Sequence, residues 1–160
     1  MAAYIKFDGV DGEAQDKDHK NWSDLASFSQ GLMQPGGAST GPTRRRGDVI
    51  VEDISANKEL DKASPKIAEA VCLGKVFPKV DIHLTASYTD AGRVTYYAYE
   101  LKNVLVTSYN ISGSGQSEDV PMEDFTLNFE EIKVTYTEAD EKGSKKGAVE
   151  YAWKVEAGEA

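Results

Sequence analysis

The sequence KVDIHLTASYTDAGRVTYYAYELKNVLVTSYNIS, residues 79–112, decides the fold that we predict. Its first ten residues alternate between polar and apolar side chains, which is typical of a half-buried β-strand. The apolar members of this strand share one face: Val80, Ile82, Leu84, Ala86 and Tyr88. The dipeptide Ala91-Gly92 has the chemistry of a tight turn, so the alternating residues that follow it predict an antiparallel hairpin. Residues 104–112 continue this meander until the Gly-Ser-Gly run at Gly113 ends it.

The same period of two extends over most of the remaining chain. Further strands are predicted at residues 3–8, 22–33, 48–60 and 148–155. Between them, Phe125, Leu127 and Phe129 occupy odd positions, whereas the apolar residues after Glu131 occupy even positions. This change of phase predicts a β-bulge near Glu130 and Glu131. Roughly eight strands in a chain of this length favour a β-barrel or a closed sandwich.

One helix is predicted, at residues 64–74. Ser64 is suited to cap the first turn, Pro65 to occupy the first helical position, and Gly74 to end the helix. The residues expected to face the sheet follow helical spacing: Ile67, Ala68, Val71 and Cys72. The predicted fold is therefore mostly β and single-domain over residues 1–160, a barrel or a closed sandwich with one flanking α-helix.

Composition excludes several classes of function. The chain carries 18 Lys and Arg against 27 Asp and Glu, a net charge of −9, which argues against nucleic-acid binding. It contains no apolar run of about 18 residues, so membrane insertion is not expected. The N-terminal residues lack the basic and apolar regions of a secretory signal. A single cysteine, Cys72, forms no intrachain disulfide.

The candidate reactive residues do not form a recognisable catalytic, cofactor or metal site. Cys72 is expected to be a small buried side chain on the apolar face of the helix. His83 points opposite the apolar set of its strand, which predicts a surface or interface histidine. His19 lies near Asp16 and Asp18, but the stretch lacks the spacing of a calcium loop. We expect no enzyme and no cofactor, and a small hydrolase using His19, His83 or Cys72 is the least favoured alternative.

The segment 34–48, rich in Gly, Pro, Ser and Thr, ends with three consecutive arginines. It lacks the Gly-Lys-Ser/Thr ending and the following helix of a phosphate-binding loop. Two interpretations remain open for the arginines. They form either a solvated loop tip or a basic contact for the acidic surface of another copy of the chain.

Six segments, in order along the chain, carry a family resemblance: VDGEAQDKDHKNW, SFSQG, LDKASPKIAEAVCLGKVFPKV, YELKNVLVTSYNISGSG, MEDFTLNFEEIKVTY and VEYAWKV. Together they cover essentially the whole chain. They resemble the haemolysin-coregulated protein (Hcp) family of type VI secretion systems. The related alternative is a tail-tube subunit of a phage or another contractile injection particle.

This resemblance implies a β-barrel with one flanking helix. It also implies a non-enzymatic subunit that assembles with itself into six-membered rings, which stack into the inner tube of the secretion apparatus. The implied partners are effector proteins held in the ring lumen, a spike protein at the tip and a contractile sheath. It also implies a protein that is cytoplasmic before firing and is then expelled to the extracellular space or a target cell without a signal peptide. Because the chain ends shortly after its last strand, no fused effector domain is expected.

The resemblance also suggests which residues carry these roles. Ser29 corresponds to a lumen-facing serine, with Gln30 beside it, and strand alternation would place Ser27 on the same face and Phe28 inside the barrel. A slip of one residue would reverse the faces, and an ordinary surface serine is the alternative. The extended loop at about 34–48 takes the place of an arm that reaches a neighbouring subunit or ring. Its proposed contacts are Thr43, Arg44, Arg45 and Arg46.

Overall fold

The computed structural model describes residues 1–35, 49–88 and 92–158. Within these residues the chain forms eleven strands and one α-helix, α1, which spans Ser64–Leu73. The strands are β1 (Ala2–Phe7), β2 (Ser23–Leu25), β3 (Ser27–Ser29), β4 (Leu32–Met33), β5 (Ile50–Val51), β6 (Ile54–Glu59), β7 (Val76–Tyr88), β8 (Gly92–Ser112), β9 (Met122–Asn128), β10 (Glu131–Ala139) and β11 (Lys145–Lys154). The mostly β fold with one helix is confirmed.

The main sheet closes on itself through the short strands near the N-terminus. Its hydrogen-bonded order is β2-β1-β7-β8-β9-β6-β3. Only Ala26 separates β2 from β3, and its backbone N–H donates to the carbonyl oxygen of Asn57 on β6 at 2.8 Å. The two ends of the sheet therefore meet and form a barrel. The single strand predicted at residues 22–33 is wrong in detail, because the chain there makes three short strands that bend from one neighbour to the next.

The predicted hairpin is formed by β7 and β8, which pair from Val76↔Leu105 to Tyr88↔Gly92. Its predicted turn at Ala91-Gly92 lies partly outside the described residues. The buried face of β7 follows the prediction through Leu84, after which a register shift between Leu84 and Thr85 interrupts the alternation. Thr85 is consequently buried, and its hydroxyl donates to the carbonyl oxygen of Ala2 at 3.2 Å.

Strand β8 is shared between the barrel and a two-stranded extension. Its residues 97–102 pair with β10, whereas residues 105–112 pair with β9. Between these two sections Asn103 has a φ of +52°, a conformation that asparagine tolerates better than most residues. The Asn103 side-chain amide donates to Glu130 Oε2 at 2.7 Å. Asn103 is thus the corner at which β8 passes from one partner to the other.

The bulge predicted near Glu130 and Glu131 is wrong. Strand β9 ends at Asn128 and a new strand, β10, begins at Glu131. The apolar phase changes here because the chain leaves the β6–β9 side of the barrel and pairs instead with β8 and β11. Strands that pair with different neighbours can bury different sets of alternate residues, so the odd-to-even change needs no bulge.

The core fills the barrel with aromatic and aliphatic side chains. The Phe7 ring lies 5.2 Å from the Phe77 ring and 5.8 Å from the Phe125 ring, measured between centroids. Aliphatic residues buried around them come from β6 through β10: Ile54, Val80, Ile82, Leu101, Leu127 and Ile132. One continuous cluster of apolar residues therefore joins the barrel to the base of the extension.

Helix α1 departs from the prediction in two places. Ser64 does not cap it, since the N-cap is Ala63 and no side chain caps the first turn. Cys72 is exposed, so its predicted burial is wrong. The buried positions are Ser64, Ile67 and Ala70. Cys72 lies five residues after Ile67, about 140° round the helix axis, and so points to solvent.

Gly74 ends the helix as predicted, with a φ of +62° that its lack of Cβ permits. The backbone N–H of Lys75 closes the turn by donating to Ala70 O at 2.9 Å. No helix in the described part of the chain is both long enough and apolar enough to cross a membrane.

Candidate functional site

A concave polar face lies on the side of the barrel formed by β3, β6, β9 and β8. The concavity has a volume of about 380 Å³. Its polar lining residues are Ser27, Ser29, Ser55, Asn57, Ser108, Asn110, Asp124 and Thr126. We refer to these eight residues as the polar face.

Strand register explains why these residues share a surface. The partners of Ser27 across the four strands form one row: Ser27, Asn57, Asp124 and Asn110. The partners of Ser29 form a second row: Ser29, Ser55, Thr126 and Ser108. The residues between the two rows point to the other side of the sheet, and Phe28, Ala56 and Phe125 pack in or against the core. Pleating therefore presents small polar side chains outward and buries apolar ones.

Hydrogen bonds within this surface join four of its eight residues. The Asn57 side-chain amide donates to Asp124 Oδ1 at 2.6 Å, and the Ser108 and Thr126 hydroxyls lie 2.7 Å apart. Asp124 is the one ionisable residue among the eight. A surface of this kind offers hydroxyl and amide groups to a protein chain while exerting little ionic attraction.

The structure brings together some of the residues singled out in the sequence and leaves others apart. Ser27 and Ser29 are exposed and lie in adjacent rows of the polar face. Gln30 follows β3, is half-buried, and donates through its amide to the carbonyl oxygen of Gly31 at 3.2 Å. It does not line the concavity. Thr43, Arg44, Arg45 and Arg46 lie outside the described residues.

Beneath the polar face lies a buried ionic cluster that the sequence analysis missed. Lys58 and Glu123 have fully buried side chains, and the Lys58 ammonium contacts Glu123 Oε1. The same ammonium donates to Asp61 Oδ1 at 2.8 Å. The Ser64 hydroxyl donates to Glu123 Oε1 at 3.0 Å, and the Tyr109 hydroxyl donates to Glu123 Oε2. These contacts tie the start of α1 to β6, β8 and β9.

A signal for this cluster exists in the alternation. Glu123 is in phase with the buried Phe125 and Leu127, and Lys58 is in phase with the buried Ile54 and Ala56. A charged residue in the buried phase on each of two strands indicates a buried pair. Burial, followed by the hydrogen bond to Glu123, raises the pKa of Tyr109 above its ordinary value, so Tyr109 remains a donor.

A second polar cluster contains both histidines, and the predicted surface position of His83 is wrong. His83 is half-buried and His19 is only 3 % exposed, because residues 8–22 fold over this part of the barrel. His19 Nε2 lies 3.0 Å from His83 Nδ1, and Asp16 Oδ2 lies 2.6 Å from His19 Nδ1. Across the described ranges, no three His, Cys, Asp or Glu side chains are arranged to hold a metal ion.

An apolar groove lies on the β10–β11 extension. Its volume is about 260 Å³, and its lining comprises Leu32, Gln34, Val49, Val51, Ile132, Tyr151 and Trp153. Nearby apolar side chains are strongly exposed, with Val149 at 75 % and Leu32 at 52 %. Strand β11 pairs only with β10 among the described strands, so its other edge presents unpaired backbone groups. Exposed apolar area beside a free edge is typical of a surface that another chain covers.

Comparisons with known proteins agree with this geometry. Residues 4–136 match the family model described as type VI secretion system effector, Hcp. The chain is 35 % identical over 153 residues to protein hcp1 of Pseudomonas aeruginosa, covering 95 % of this chain and 93 % of that protein.

Solved structures show the same fold. A type six secretion system protein superposes with a TM-score of 0.89 at 26 % identity, covering 99 % of this chain and 98 % of the other. Hcp1 from Salmonella typhimurium superposes with a TM-score of 0.78 at 23 % identity, covering 99 % and 97 % of the two chains. These matches favour a secretion protein over a phage tail-tube subunit. The chain belongs to the Hcp family of type VI secretion systems.

Proposed function

We propose that six copies of this chain close into a ring, that rings stack into the inner tube of a type VI secretion system, and that the polar face lines the lumen. The polar face carries the proposal, because eight polar residues in two aligned rows share one concave surface on one side of the barrel. Such a surface suits a channel through which folded cargo slides. We propose no catalysed reaction for the subunit.

The apolar groove supports assembly. In a closed ring, every subunit presents one surface to one neighbour and a different surface to the next. The groove beside β11, together with exposed Val149 and Tyr151, is suited to be one of these two surfaces. Covering it would remove apolar area from water and protect the free strand edge.

Within the lumen, Ser27 and Ser29 would contact effector proteins, and Gln30 would lie at the margin of that contact. The only ionisable member of the polar face, Asp124, is already paired with the Asn57 amide. Cargo recognition would therefore rest on hydrogen bonds and shape more than on charge. Effectors, the spike protein and the sheath are the proposed partners in the assembled apparatus. The subunit would be cytoplasmic before firing and extracellular, or inside a target cell, afterwards.

The arm at about 34–48 would contact a neighbouring subunit or ring through Thr43, Arg44, Arg45 and Arg46. The chain's net charge of −9 provides many carboxylates for three arginines to meet on another copy. Neutralising the arginines is expected to weaken stacking while leaving the fold of the subunit intact. The effect should be larger at low ionic strength, where such contacts are less screened.

Native mass spectrometry and negative-stain imaging test the assembly. We expect a six-subunit mass and an annulus with an open centre. A protein that stays monomeric at high micromolar concentration would refute the proposal.

The lumen assignment is tested by replacing Ser29 with arginine and measuring effector co-purification from the producing cell. We expect Ser29→Arg to lose bound effector while the ring persists. The matched control is Ser87→Arg, at an exposed serine on β7 away from the polar face. If both variants retain effector equally, Ser29 does not face the cargo.

A further inference from the structure

The two histidines of the chain meet at one point beneath residues 8–22. We call this segment the N-terminal loop. His19 belongs to the loop and His83 to β7, 64 residues away in sequence. Their facing nitrogens, His19 Nε2 and His83 Nδ1, lie 3.0 Å apart, which is a hydrogen-bonding distance. This contact joins the loop directly to the barrel.

Aromatic rings enclose the pair. The Tyr4 ring stacks on His19 with centroids 4.6 Å apart and planes within 9°. Trp22 lies against both imidazoles, with centroid distances of 4.8 Å to His19 and 4.5 Å to His83. The surroundings are thus largely apolar and favour imidazoles without net charge.

Geometry limits how many protons the pair holds. Asp16 Oδ2, 2.6 Å from His19 Nδ1, accepts a hydrogen bond and so keeps a proton on that nitrogen. A single further proton then lies between His19 Nε2 and His83 Nδ1. If both of these nitrogens were protonated, two N–H groups would point at each other across 3.0 Å and the bond would be lost.

Five other charged side chains act electrostatically on His83 or on its neighbours Tyr4, Asp16 and Asp81. They are Asp8, Asp24, Lys79, Arg93 and Glu100. Asp16 contacts His19 through one oxygen, but its other oxygen lies 3.6 Å from Arg93 Nε, so its charge is shared. Burial, then the neighbouring His19 and Lys79, lowers the pKa of His83 to about 4. A second positive charge is therefore strongly disfavoured while the loop is closed.

The loop is built to move as a unit. Its own backbone hydrogen bonds join one half to the other, from Gly12 N–H to Asn21 O at 2.7 Å and from Ala14 N–H to Trp22 O at 2.8 Å. Gly9, with a φ of +78°, lies at one base of the loop and gives it a point of bending. When the loop moves off the barrel, water reaches these internal bonds, so their amides are expected to exchange faster.

We propose that the His19–His83 contact is an acid-operated clasp, which holds the N-terminal loop on the barrel at neutral pH and releases it when both imidazoles are protonated. The clasp belongs to the subunit itself and does not depend on ring assembly. Because the chain has only these two histidines, any histidine titration is expected to act at this contact.

Two measurements on the full chain test the clasp. In a Trp153→Phe background, Trp22 is the remaining tryptophan, and its fluorescence reports protonation of the adjacent imidazoles, since imidazolium quenches indole. Hydrogen exchange, corrected for intrinsic rates, reports opening. We expect protection of amides 12–22 to fall about tenfold or more between pH 7 and pH 4.5, while amides of β9 keep theirs.

The variant His83→Gln removes the titrating group and keeps an amide that hydrogen-bonds to His19. Its loop protection should no longer depend on pH over this range, whether the loop is closed or already open. Asp124→Asn, on the polar face, is the matched control and should retain the transition. Quenching without loss of protection, or a His83→Gln variant that opens with acid as the wild type does, would overturn the proposal.

Discussion

The barrel contains two buried polar clusters, and each avoids an unpaired buried charge in a different way. Around Lys58 and Glu123, opposite charges face each other, and the Ser64 hydroxyl binds one of the carboxylates. Around His19 and His83, one shared proton and apolar walls keep the net charge low. The first cluster is stable because its opposite charges pair, and the second because it carries little net charge. Removing a partner should therefore damage the first, whereas adding a proton should damage the second.

The largest effect is expected from Lys58→Met, which leaves Glu123 buried without its counter-ion. We expect a loss of about 3–5 kcal/mol in the free energy of unfolding, measured by urea denaturation at one fixed protein concentration. The double variant Lys58→Met/Glu123→Leu removes both charges and should recover much of this loss. A loss below about 1 kcal/mol in the single variant would show that the charge is not truly enclosed.

A smaller, pH-dependent effect is expected at the histidine pair. His83 has a lowered pKa of about 4 in the folded protein, against an ordinary value of 6.5. The unfolded chain therefore binds more protons between these values, so this contribution to stability is complete above pH 6.5 and is lost as the pH falls to about 4. After allowance for partial solvent access we expect about 1–2 kcal/mol.

Carboxylates titrate in the same range, so the comparison must isolate the histidine. Wild type and His83→Gln are unfolded by urea at several pH values, and the difference between them is followed. That difference should change with pH. Parallel curves for the two proteins would show that His83 contributes nothing.

The smallest effect is expected at the exposed thiol. Cys72→Ser should change stability by less than about 0.5 kcal/mol, since the side chain contacts water and not the core. Ala70→Ser, two residues earlier and buried, is the matched control and should cost about 1–3 kcal/mol by placing a hydroxyl in an apolar site. Equal effects at the two positions would mean that the helix is rotated from the orientation described here.

Side-chain spacing predicted correctly those helices and strands whose residues keep one hydrophobic period throughout. Strand β7 through Leu84, β9 and the end of α1 at Gly74 all follow from side-chain spacing and turn chemistry. The polar face could be predicted only in part, because Ser27 and Ser29 follow from one strand while their partners depend on register. That register joins β3 to β6 and β6 to β9, which are distant in sequence.

The failures have a common physical cause. Cys72 was misplaced because apolar spacing within one helix does not specify how that helix is rotated on its sheet. Ser64 looks like a cap, yet the buried carboxylate of Glu123 binds its hydroxyl. His83 lies on the outer side of its strand, but a loop without any periodic pattern covers it. Each error concerns a contact made by residues far apart in the chain.

The sharing of β8 between two sets of partners also bears on the order in which the strands pair during folding. Its hairpin with β7 joins neighbours in sequence and closes quickly, whereas β6 and β9 pair across about 70 residues and must close a long loop first. Lys58 and Glu123 lie on those late strands. We therefore expect the two charges to leave water near the end of folding, when the barrel shuts. Variants at Lys58 should accordingly speed unfolding far more than they slow refolding, while changes within the β7–β8 hairpin should act mainly on the refolding rate.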